Sequence, residues 1–212
     1  MKKMEPEFQI YECSNPACRF RCPTNLSERT LECCPLCGGT LLPQGKPFSN
    51  QKRHSDAEAA RGHLEVLLDN LRSTLNVGSI FRTADGAGVD HIYCCGTTPT
   101  PLHPKIAKTG LGAEGFTPWS YRPNALDLVR QRKQAGVQVI ALEAAETAEP
   151  LLSLPPMTGG TPALLVVGNE VSGIDPEILA AADHLLFIPM RGQKSSLNVA
   201  VAFGIAIYTL QE

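Results

Sequence analysis

Two pairs of cysteines near the start of the chain have the spacing of metal ligands. Four residues separate the first pair and two the second, with 15 residues between the pairs and two glycines directly after the second. Cysteine pairs at this separation are typical of a tetrahedral site in which four thiolates hold one zinc ion. Because the protein would fill all four positions, the metal has a structural and not a catalytic role. The predicted ligands are Cys13, Cys18, Cys34 and Cys37, and Cys22 and Cys33 remain either alternative ligands or spectator thiols.

Polar residues also adjoin three apolar runs, in positions where a ligand site can form. Asn76 opens the segment NVGSIFRTAD, Glu170 follows the apolar run 164–167, and Ser196 and Asn198 precede the apolar C-terminal segment. In parallel α/β sheets, ligands bind outside the carboxyl ends of the strands. The free N–H groups at the start of a helix favour anions and oxygen-bearing ligands. These segments therefore predict a ligand site at the ends of strands.

Each segment also has a purely structural interpretation. Asn76 can cap a helix that begins there, and Arg82 and Asp85 can form an ion pair on one face of that helix. Glu170 can be an acidic turn or the start of a helix, and Ser196 can cap the last helix. Taken singly, no segment decides between these interpretations.

A glycine-rich segment at residues 110–115 matches the dinucleotide-binding pattern G-x-G-x-x-G. That pattern has its meaning where it joins a strand to a helix. Here no strand-like run precedes the glycines, and Phe116, Thr117 and Pro118 follow where the helix would have to begin. The segment is therefore not predicted to bind a nucleotide.

Short apolar runs alternate with longer segments of helical periodicity from residue 63 onward. The runs are nearly continuous in apolar character, which is typical of buried, mostly parallel strands. Alternating strands and helices predict an open α/β sheet. The predicted strands are 64–68, 91–95, 137–142, 163–167 and 185–188, and the predicted helices are 77–87, 124–135, 176–182 and 197–210. The last helix is apolar almost all round, so we expect it to be buried in the core, in a subunit interface, or in both.

The chain is predicted to consist of a small cysteine-rich module and a larger domain. Residues 1–44 are too few to form a sufficient core without a metal. Residues 45–62 are polar and lack apolar periodicity, which predicts a linker. Residues 63–212 carry the α/β pattern and form the second domain.

Composition and charge exclude several classes of protein. With 43% hydrophobic and 19% charged residues, the chain is neither disordered nor fibrous. No run approaches the roughly 18 apolar residues of a membrane-spanning helix, so no membrane association is expected. The N-terminus lacks the apolar core of a secretory signal, which predicts a cytoplasmic protein. Residues 1–54 carry 8 Lys and Arg against 5 Asp and Glu, and residues 55–212 carry 11 against 16, so charge alone does not indicate a nucleic-acid partner.

Taken together, the three polar segments resemble the three motifs of the SpoU family of RNA ribose 2′-O-methyltransferases, within the α/β-knot (SPOUT) superfamily. The matching segments are NVGSIFRTAD, VVGNEVSGI and IPMRGQKSSLNVAVA, in that order. The resemblance extends over residues 62–212 and includes the loop KTGLGAE, which contains two of the glycines of the rejected dinucleotide pattern. The N-terminal module resembles a zinc ribbon of the kind appended to RNA enzymes.

The resemblance implies a fold, an assembly and a cofactor. It implies an open, mostly parallel sheet with a deep trefoil knot in the C-terminal part, and a homodimer that would cover the apolar last helix. It also implies S-adenosylmethionine, held in the knot mainly by backbone groups. The residues that match the family's cofactor-binding positions are Gly96, Val167, Gly168, Asn169, Ile188, Met190 and Leu197.

The resemblance further implies methyl transfer to a ribose 2′-hydroxyl of tRNA or rRNA. The matching functional residues are Asn76, Arg82, Glu170, Ser196 and Asn198. A guanidinium stays protonated in proteins, so we expect Arg82 to bind a phosphate or to stabilise the developing alkoxide instead of acting as a base. Glu170 is expected to orient Arg82 or Asn198. The alternative from another class is a knotted RNA-binding or assembly factor without catalytic activity.

Overall fold

The structure of the protein is a computed structural model that describes residues 7–28, 31–49, 63–155 and 160–211. The chain consists of two compact units, Met1–Ala57 and Glu58–Glu212. Each unit has a β-sheet of its own.

The first unit is built on a three-stranded antiparallel sheet in the order β2-β1-β3. Its strands are β1 Glu7–Cys13, β2 Arg21–Asn25 and β3 Leu41–Ser49. Residues 45–49, which we predicted to be linker, belong to β3, where Phe48 pairs with Phe8 of β1 and the two rings pack 5.9 Å apart. The exposed face of β3 explains its polar, linker-like sequence. The remainder of the predicted linker, residues 50–62, lies outside the described residues.

The second unit contains a seven-stranded sheet in the order β6-β5-β4-β9-β7-β10-β8. Every pairing between its strands is parallel, which confirms the predicted α/β sheet. The carboxyl ends of all seven strands therefore lie at one edge of the sheet. The strands are β4 Leu64–Asp69, β5 His91–Cys95, β6 Trp119–Arg122, β7 Gln138–Leu142, β8 Glu149–Pro150, β9 Ala163–Val167 and β10 His184–Phe187.

Helices cover both faces of this sheet. They are α1 Thr74–Ala87, α2 Ala107–Gly110, α3 Ala125–Gln134, α4 Pro176–Ala181 and α5 Val199–Gln211. Buried side chains of α1 and α5 belong to one apolar cluster, and those of α3 and α4 belong to the other. All five residues of the central strand β9 are buried, because helices shield it on both sides.

Helix α5 is only half covered by its own chain. Phe203, Ile207 and Leu210 are fully buried against the core. Val201 and Tyr208, in contrast, are each 52% exposed. The prediction that this helix is buried in the core is therefore confirmed for one face only. Within the described residues, no helix is both long enough and apolar enough to span a bilayer.

All five predicted strands and four predicted helices are present, with bounds that differ by three residues or fewer. The sequence did not predict β6, β8 or α2. The edge strand β6 pairs with β5 alone and its four residues, WSYR, contain no buried side chain, so they lack an apolar signal. Residues 110–115 follow a short helix and not a strand, in agreement with the rejection of the dinucleotide pattern.

Candidate active site

A cavity of about 360 Å³ opens where β7, β9 and β10 end. The apolar residues that line it include Leu142, Phe187 and Ala202, while Glu143 and Ser195 contribute polar groups. Volumes of this order are typical of small-molecule sites. Nine of the residues predicted as functional line it: Val167, Gly168, Asn169, Glu170, Ile188, Met190, Ser196, Leu197 and Asn198.

The loop after β9 folds tightly back on itself at the cavity wall. Asn169 and Gly173 form a two-way backbone bridge, and the Asn169 side chain accepts hydrogen bonds from two N–H groups inside the loop. Gly173 has a φ of +74°, a conformation that favours glycine. Gly168 leaves room for this return, because a Cβ at that position would lie 2.5 Å from the backbone nitrogen of Ile174.

Replacement of Gly168 by alanine is predicted to disturb the cavity. The new methyl group would overlap backbone atoms that cannot simply rotate away, so the loop must shift. Overpacking of this kind costs about 1–3 kcal/mol of unfolding free energy. We expect Gly168→Ala to lower that free energy by this amount in urea titrations and to weaken binding of S-adenosyl-L-homocysteine at least ~10-fold. Gly115→Ala is the matched control, since no atom lies within 4 Å of a Cβ built there; equal behaviour of the two variants would contradict the prediction.

Glu170 joins the loop after β9 to the start of α1. Its carboxylate accepts hydrogen bonds from the backbone N–H of Arg72 at 2.9 Å, the N–H of Ser73 at 3.1 Å and the Nδ2 of Asn76 at 2.8 Å. A carboxylate beside the N-terminus of a helix is also favoured by the helix dipole. Glu170, which lines the cavity, is therefore connected to the start of α1.

Asn76 connects Glu170 to Asn198 through two hydrogen bonds. While its Nδ2 donates to Glu170, its Oδ1 accepts a hydrogen bond of 3.0 Å from the Nδ2 of Asn198. Asn198 in turn caps α5, since its Oδ1 accepts from the N–H of Ala200 at 2.9 Å. Glu170, Asn76 and Asn198 thus form one hydrogen-bonded chain, to which each of the three predicted motifs contributes one residue.

Two of the predicted structural roles were wrong. The cap of α1 is Ser73, whose side chain accepts from the N–H of Asn76, so Asn76 is free to bond to Glu170. The cap of α5 is Asn198 and not Ser196. Glu170 was predicted to orient Arg82 or Asn198, and the structure connects it to Asn198 through Asn76.

Burial and hydrogen bonding act in opposite directions on the pKa of Glu170. Partial burial alone would raise the pKa of its carboxyl, but the hydrogen bonds from Arg72, Asn76 and Ser73 outweigh burial and hold the pKa below its ordinary value of about 4.5. A carboxyl whose pKa is lowered by folding stabilises the protein above its unfolded-state pKa. That contribution is lost as the pH falls through the lower, folded-state pKa.

Glu170→Gln is therefore predicted to destabilise the protein at neutral pH and not in acid. The variant loses charge-assisted hydrogen bonds from the first turn of α1, worth roughly 1 kcal/mol at a solvent-exposed position. Urea unfolding at pH 7 is expected to show this difference, and the difference is expected to shrink as the pH falls through the lowered pKa of Glu170 and the wild-type carboxylate takes up a proton. Glu177→Gln, on the exposed surface of α4, is the control. A gap between Glu170→Gln and wild type that is the same across the pH series would argue against the carboxylate's role.

Arg82 does not line the cavity. It follows Asn76 by six residues in α1 and its side chain is exposed. It lines a separate hollow together with Lys108 and Tyr208. Glu170 makes its hydrogen bonds to Asn76 and to the backbone just before α1, and none to Arg82; of the two partners predicted for Glu170, the structure connects it to Asn198. In a single chain, therefore, Arg82 lines a different opening from Glu170, Ser196 and Asn198, and Asn76 lines neither opening but bonds to Glu170 and Asn198.

Gly96 lies beside the cavity region without lining it. It follows β5 with a φ of +58°, and a Cβ there would lie 2.1 Å from the Oδ1 of Asn70. Asn70 follows β4, and its backbone oxygen accepts a 2.6 Å hydrogen bond from the Nδ2 of Asn169. Gly96 is thus placed to let the ends of β4 and β5 approach the loop after β9. Gly96 is not one of the described residues that line the cavity.

The four predicted metal ligands come together in the first unit. The sulfur atoms of Cys13, Cys18, Cys34 and Cys37 all lie within 4.8 Å of one another. Two of the separations are 3.4 Å, between Cys13 and Cys37, and 3.7 Å, between Cys18 and Cys34. Zinc–sulfur bonds of about 2.3 Å in a tetrahedron place neighbouring sulfurs about 3.8 Å apart. Cys22 and Cys33 are not part of this group of four.

Residues 63–208 match the model of the SpoU rRNA Methylase family, which is more than half of the chain. The chain belongs to the SpoU methylase family. The match contains the three motifs that form the cavity and the hydrogen-bonded chain of Glu170, Asn76 and Asn198.

Curated SpoU-family relatives are named for methylation of ribose in RNA. A tRNA (guanosine(18)-2′-O)-methyltransferase from Aquifex aeolicus is 32% identical over 161 residues, which cover 73% of this chain and 71% of the relative. A 23S rRNA (guanosine(2553)-2′-O)-methyltransferase from Bacillus subtilis is 33% identical over 146 residues, which cover 69% of this chain and 57% of the relative. The chain thus spans little more than half of the length of the Bacillus relative.

Solved structures of the SpoU family share the fold. An AdoMet-bound rRNA methyltransferase from Sinorhizobium meliloti is 30% identical with a TM-score of 0.66, over 82% of this chain and 64% of that one. The A. aeolicus TrmH/SpoU tRNA-modifying enzyme is also 30% identical, with a TM-score of 0.63 over 70% of this chain and 73% of that one. The first of these structures contains the cofactor that the sequence motifs predict for this chain.

Sequence reasoning missed two residues of the SpoU-family site. Ser73 caps α1, which leaves Asn76 free for Glu170. Glu143 directly follows β7 and lines the cavity with a half-buried carboxylate. Its position after a predicted strand end was a signal that could have found it, because ligand sites gather there.

Proposed function

We propose that this chain transfers a methyl group from S-adenosylmethionine to a ribose 2′-hydroxyl of tRNA or rRNA. The observation that carries the proposal is the hydrogen-bonded chain of Glu170, Asn76 and Asn198, two members of which line a cavity in a SpoU-family domain. Side chains that are held in place by hydrogen bonds to one another are pre-organised to bind a substrate. A protein that only binds RNA has no evident need for such an arrangement beside a small-molecule cavity.

The cavity fits S-adenosylmethionine in its chemistry. Leu142, Ile188 and Leu197 supply apolar surface for an adenine ring, and Asn169 and Ser196 supply polar groups. No Lys or Arg is among the described residues that line the cavity, whose charged side chains are two glutamates; this suits a ligand with a sulfonium and an ammonium group. The residues that would hold the cofactor are Val167, Gly168, Asn169, Ile188, Met190 and Leu197, with Gly96 shaping the neighbouring strand ends.

Positioning supplies much of the rate in this proposal. The bound cofactor supplies an electrophilic methyl group on a sulfonium. Asn198 and Ser196, at the start of α5, hold the ribose of the target nucleotide so that its 2′ oxygen faces the cavity. Asn76 and Glu170 fix Asn198 in its orientation. Arg82 binds the adjacent phosphate or stabilises the negative charge that develops on the 2′ oxygen.

A homodimer would complete this site and cover α5. The apolar residues Val201 and Ile205 and the ring of Tyr208 are 52%, 41% and 52% exposed in the single chain. Contiguous exposed apolar surface marks an interaction site. Since Tyr208 also lines the hollow of Arg82, a second copy that packs on α5 would approach that arginine as well. The deep trefoil knot stays a prediction from the family resemblance. The strand order is compatible with it, since β9 lies between β4 and β7, two strands that precede it in the chain.

The first unit is proposed to bind one structural zinc ion. Four sulfur atoms at tetrahedral separations and two pairs of cysteines in turns support Cys13, Cys18, Cys34 and Cys37 as its ligands. Gly39 also fits this role, because a Cβ there would press on two of the sulfurs at 3.2 and 3.3 Å. We place the protein in the cytoplasm, where tRNA and rRNA are available to it.

Methyl transfer to RNA tests the proposal directly. The purified chain is incubated with S-adenosylmethionine carrying a labelled methyl group and with unmodified total tRNA or rRNA, and the RNA is digested to nucleosides. We expect label in a 2′-O-methylnucleoside from one of the two RNA classes. Cofactor binding without label in either class would favour the alternative of an RNA-binding or assembly factor. Label on a base would assign a different methyl acceptor.

A further inference from the structure

Glu143 is fixed at the cavity by its neighbours. Its Oε1 accepts the backbone N–H of Ala144 at 3.1 Å, and its Oε2 accepts the N–H of Ile174 at 3.2 Å. Gly173 makes room for it, since a Cβ there would lie 2.6 Å from Oε2. The carboxylate thus connects the end of β7 to the loop after β9, with its position set before any ligand binds.

The two contacts leave acceptor capacity on both oxygens. An ionised carboxylate offers about four acceptor positions, two on each oxygen. The backbone of Ala144 and Ile174 uses one on each, so one remains on Oε1 and one on Oε2. Two adjacent hydroxyl groups present two donors side by side and match this pair of acceptors. Glu170, in contrast, is already engaged by three donors at the start of α1.

We propose that Glu143 binds the 2′- and 3′-hydroxyls of the cofactor's own ribose. This inference rests on the proposed function. Glu143 directly follows Leu142, one of the apolar residues proposed to contact the adenine, and the ribose is the part of the cofactor bonded to adenine. A carboxylate at the end of a strand that takes ribose hydroxyls is also a known solution in dinucleotide-binding sheets.

The cofactor's ammonium group is a weaker match for Glu143. An ammonium is a compact charge with three donors that point in different directions. The two free acceptors of Glu143 lie on one carboxylate whose orientation is already fixed by backbone N–H groups. The amino-acid end of the cofactor is also the end most distant from adenine. These two points favour the ribose.

Calorimetric titration of the full chain with S-adenosyl-L-homocysteine tests this inference. Three further probes separate the groups: 5′-methylthioadenosine, which keeps the ribose and lacks the amino acid, and the 2′-deoxy and 3′-deoxy analogues of S-adenosyl-L-homocysteine. We expect Glu143→Gln to weaken S-adenosyl-L-homocysteine and 5′-methylthioadenosine by a similar factor of at least ~10, the size of one charge-assisted contact. The loss is expected to be smaller for the deoxy analogues. The matched control is Glu146→Gln, which alters an exposed glutamate of the same loop that does not line the cavity.

Several results would overturn the inference. A loss confined to S-adenosyl-L-homocysteine, with 5′-methylthioadenosine unchanged, would assign Glu143 to the amino-acid end. An equal loss for the deoxy analogues would make Glu143 a support for the loop only. Should Glu143→Gln unfold, the wild-type chain still decides, because the inference requires each deoxy analogue to bind it several-fold more weakly. Failure of the wild-type chain to bind S-adenosyl-L-homocysteine at all would instead refute the cofactor site of the proposed function.

Discussion

Arg82→Ala is expected to reduce methyl transfer to RNA by about 10²–10³-fold, the loss that follows removal of one donor to a developing negative charge. Binding of S-adenosyl-L-homocysteine should stay within about threefold of wild type, because Arg82 does not line the cavity. The side chain is exposed, so the fold should tolerate its removal. Single-turnover rates with the RNA class that accepts label, together with calorimetric titration, measure both quantities.

Two further variants sharpen this prediction. Arg82→Lys keeps the positive charge and loses the planar fork that binds phosphate through two parallel hydrogen bonds, so we expect it to recover only part of the activity. Arg130→Ala removes another exposed arginine, one that pairs with Glu177 on the surface, and should leave the rate unchanged. Full activity in Arg82→Lys would rule out a bidentate role. Full activity in Arg82→Ala would remove Arg82 from the mechanism.

The separation of Arg82 from the cavity follows from helix geometry. Six residues of an α-helix turn through about 240°, so Asn76 and Arg82 project from different sides of α1. The motif pattern places both residues in one functional set but carries no information about the face that each one occupies. Asn76 points at Glu170 and Asn198, whereas Arg82 points at a hollow shared with Lys108 and Tyr208.

Most of the architecture was predictable because the strands are apolar throughout. β9 has the sequence ALLVV and all five residues are buried, so composition alone identifies it as a central strand. The edge strand β6 and the capping roles were not predictable in this way. Ser73 and Asn76 are both good capping residues, and only the tertiary contact with Glu170 determines which of them caps α1.

Cavity residues were predictable from motif order but not from local pattern. Gly168 and Asn169 shape the cavity because the loop after β9 reverses direction within a few residues. This reversal brings Gly173 and Ile174 into contact with them. Glu143 was missed because it belongs to none of the three motifs; its role follows from the loop after β9, which reaches it across the sheet edge. Contacts between residues about 30 positions apart leave no periodic signal in a sequence.

Removal of zinc is predicted to unfold the first unit and spare the second. The sheet β2-β1-β3 has little apolar surface to bury. Among its described residues the buried apolar side chain is Cys13, which is itself a proposed ligand of the metal. Structural zinc in small zinc-finger peptides contributes on the order of 10 kcal/mol. A unit of this size depends on such a contribution for its stability.

The test compares two cysteine variants of the full chain. Cys34→Ser removes a ligand whose sulfur lies in the cluster, and Cys22→Ser alters a cysteine outside it. We expect about one zinc per chain in wild type and in Cys22→Ser, and a loss of zinc and of protease resistance in residues 7–49 in Cys34→Ser. Binding of S-adenosyl-L-homocysteine should be unchanged in both variants, because every residue that lines the cavity belongs to the second unit. Equal zinc content in Cys34→Ser and wild type would refute the four-cysteine site, and loss of cofactor binding on chelation would mean that the cavity depends on the first unit.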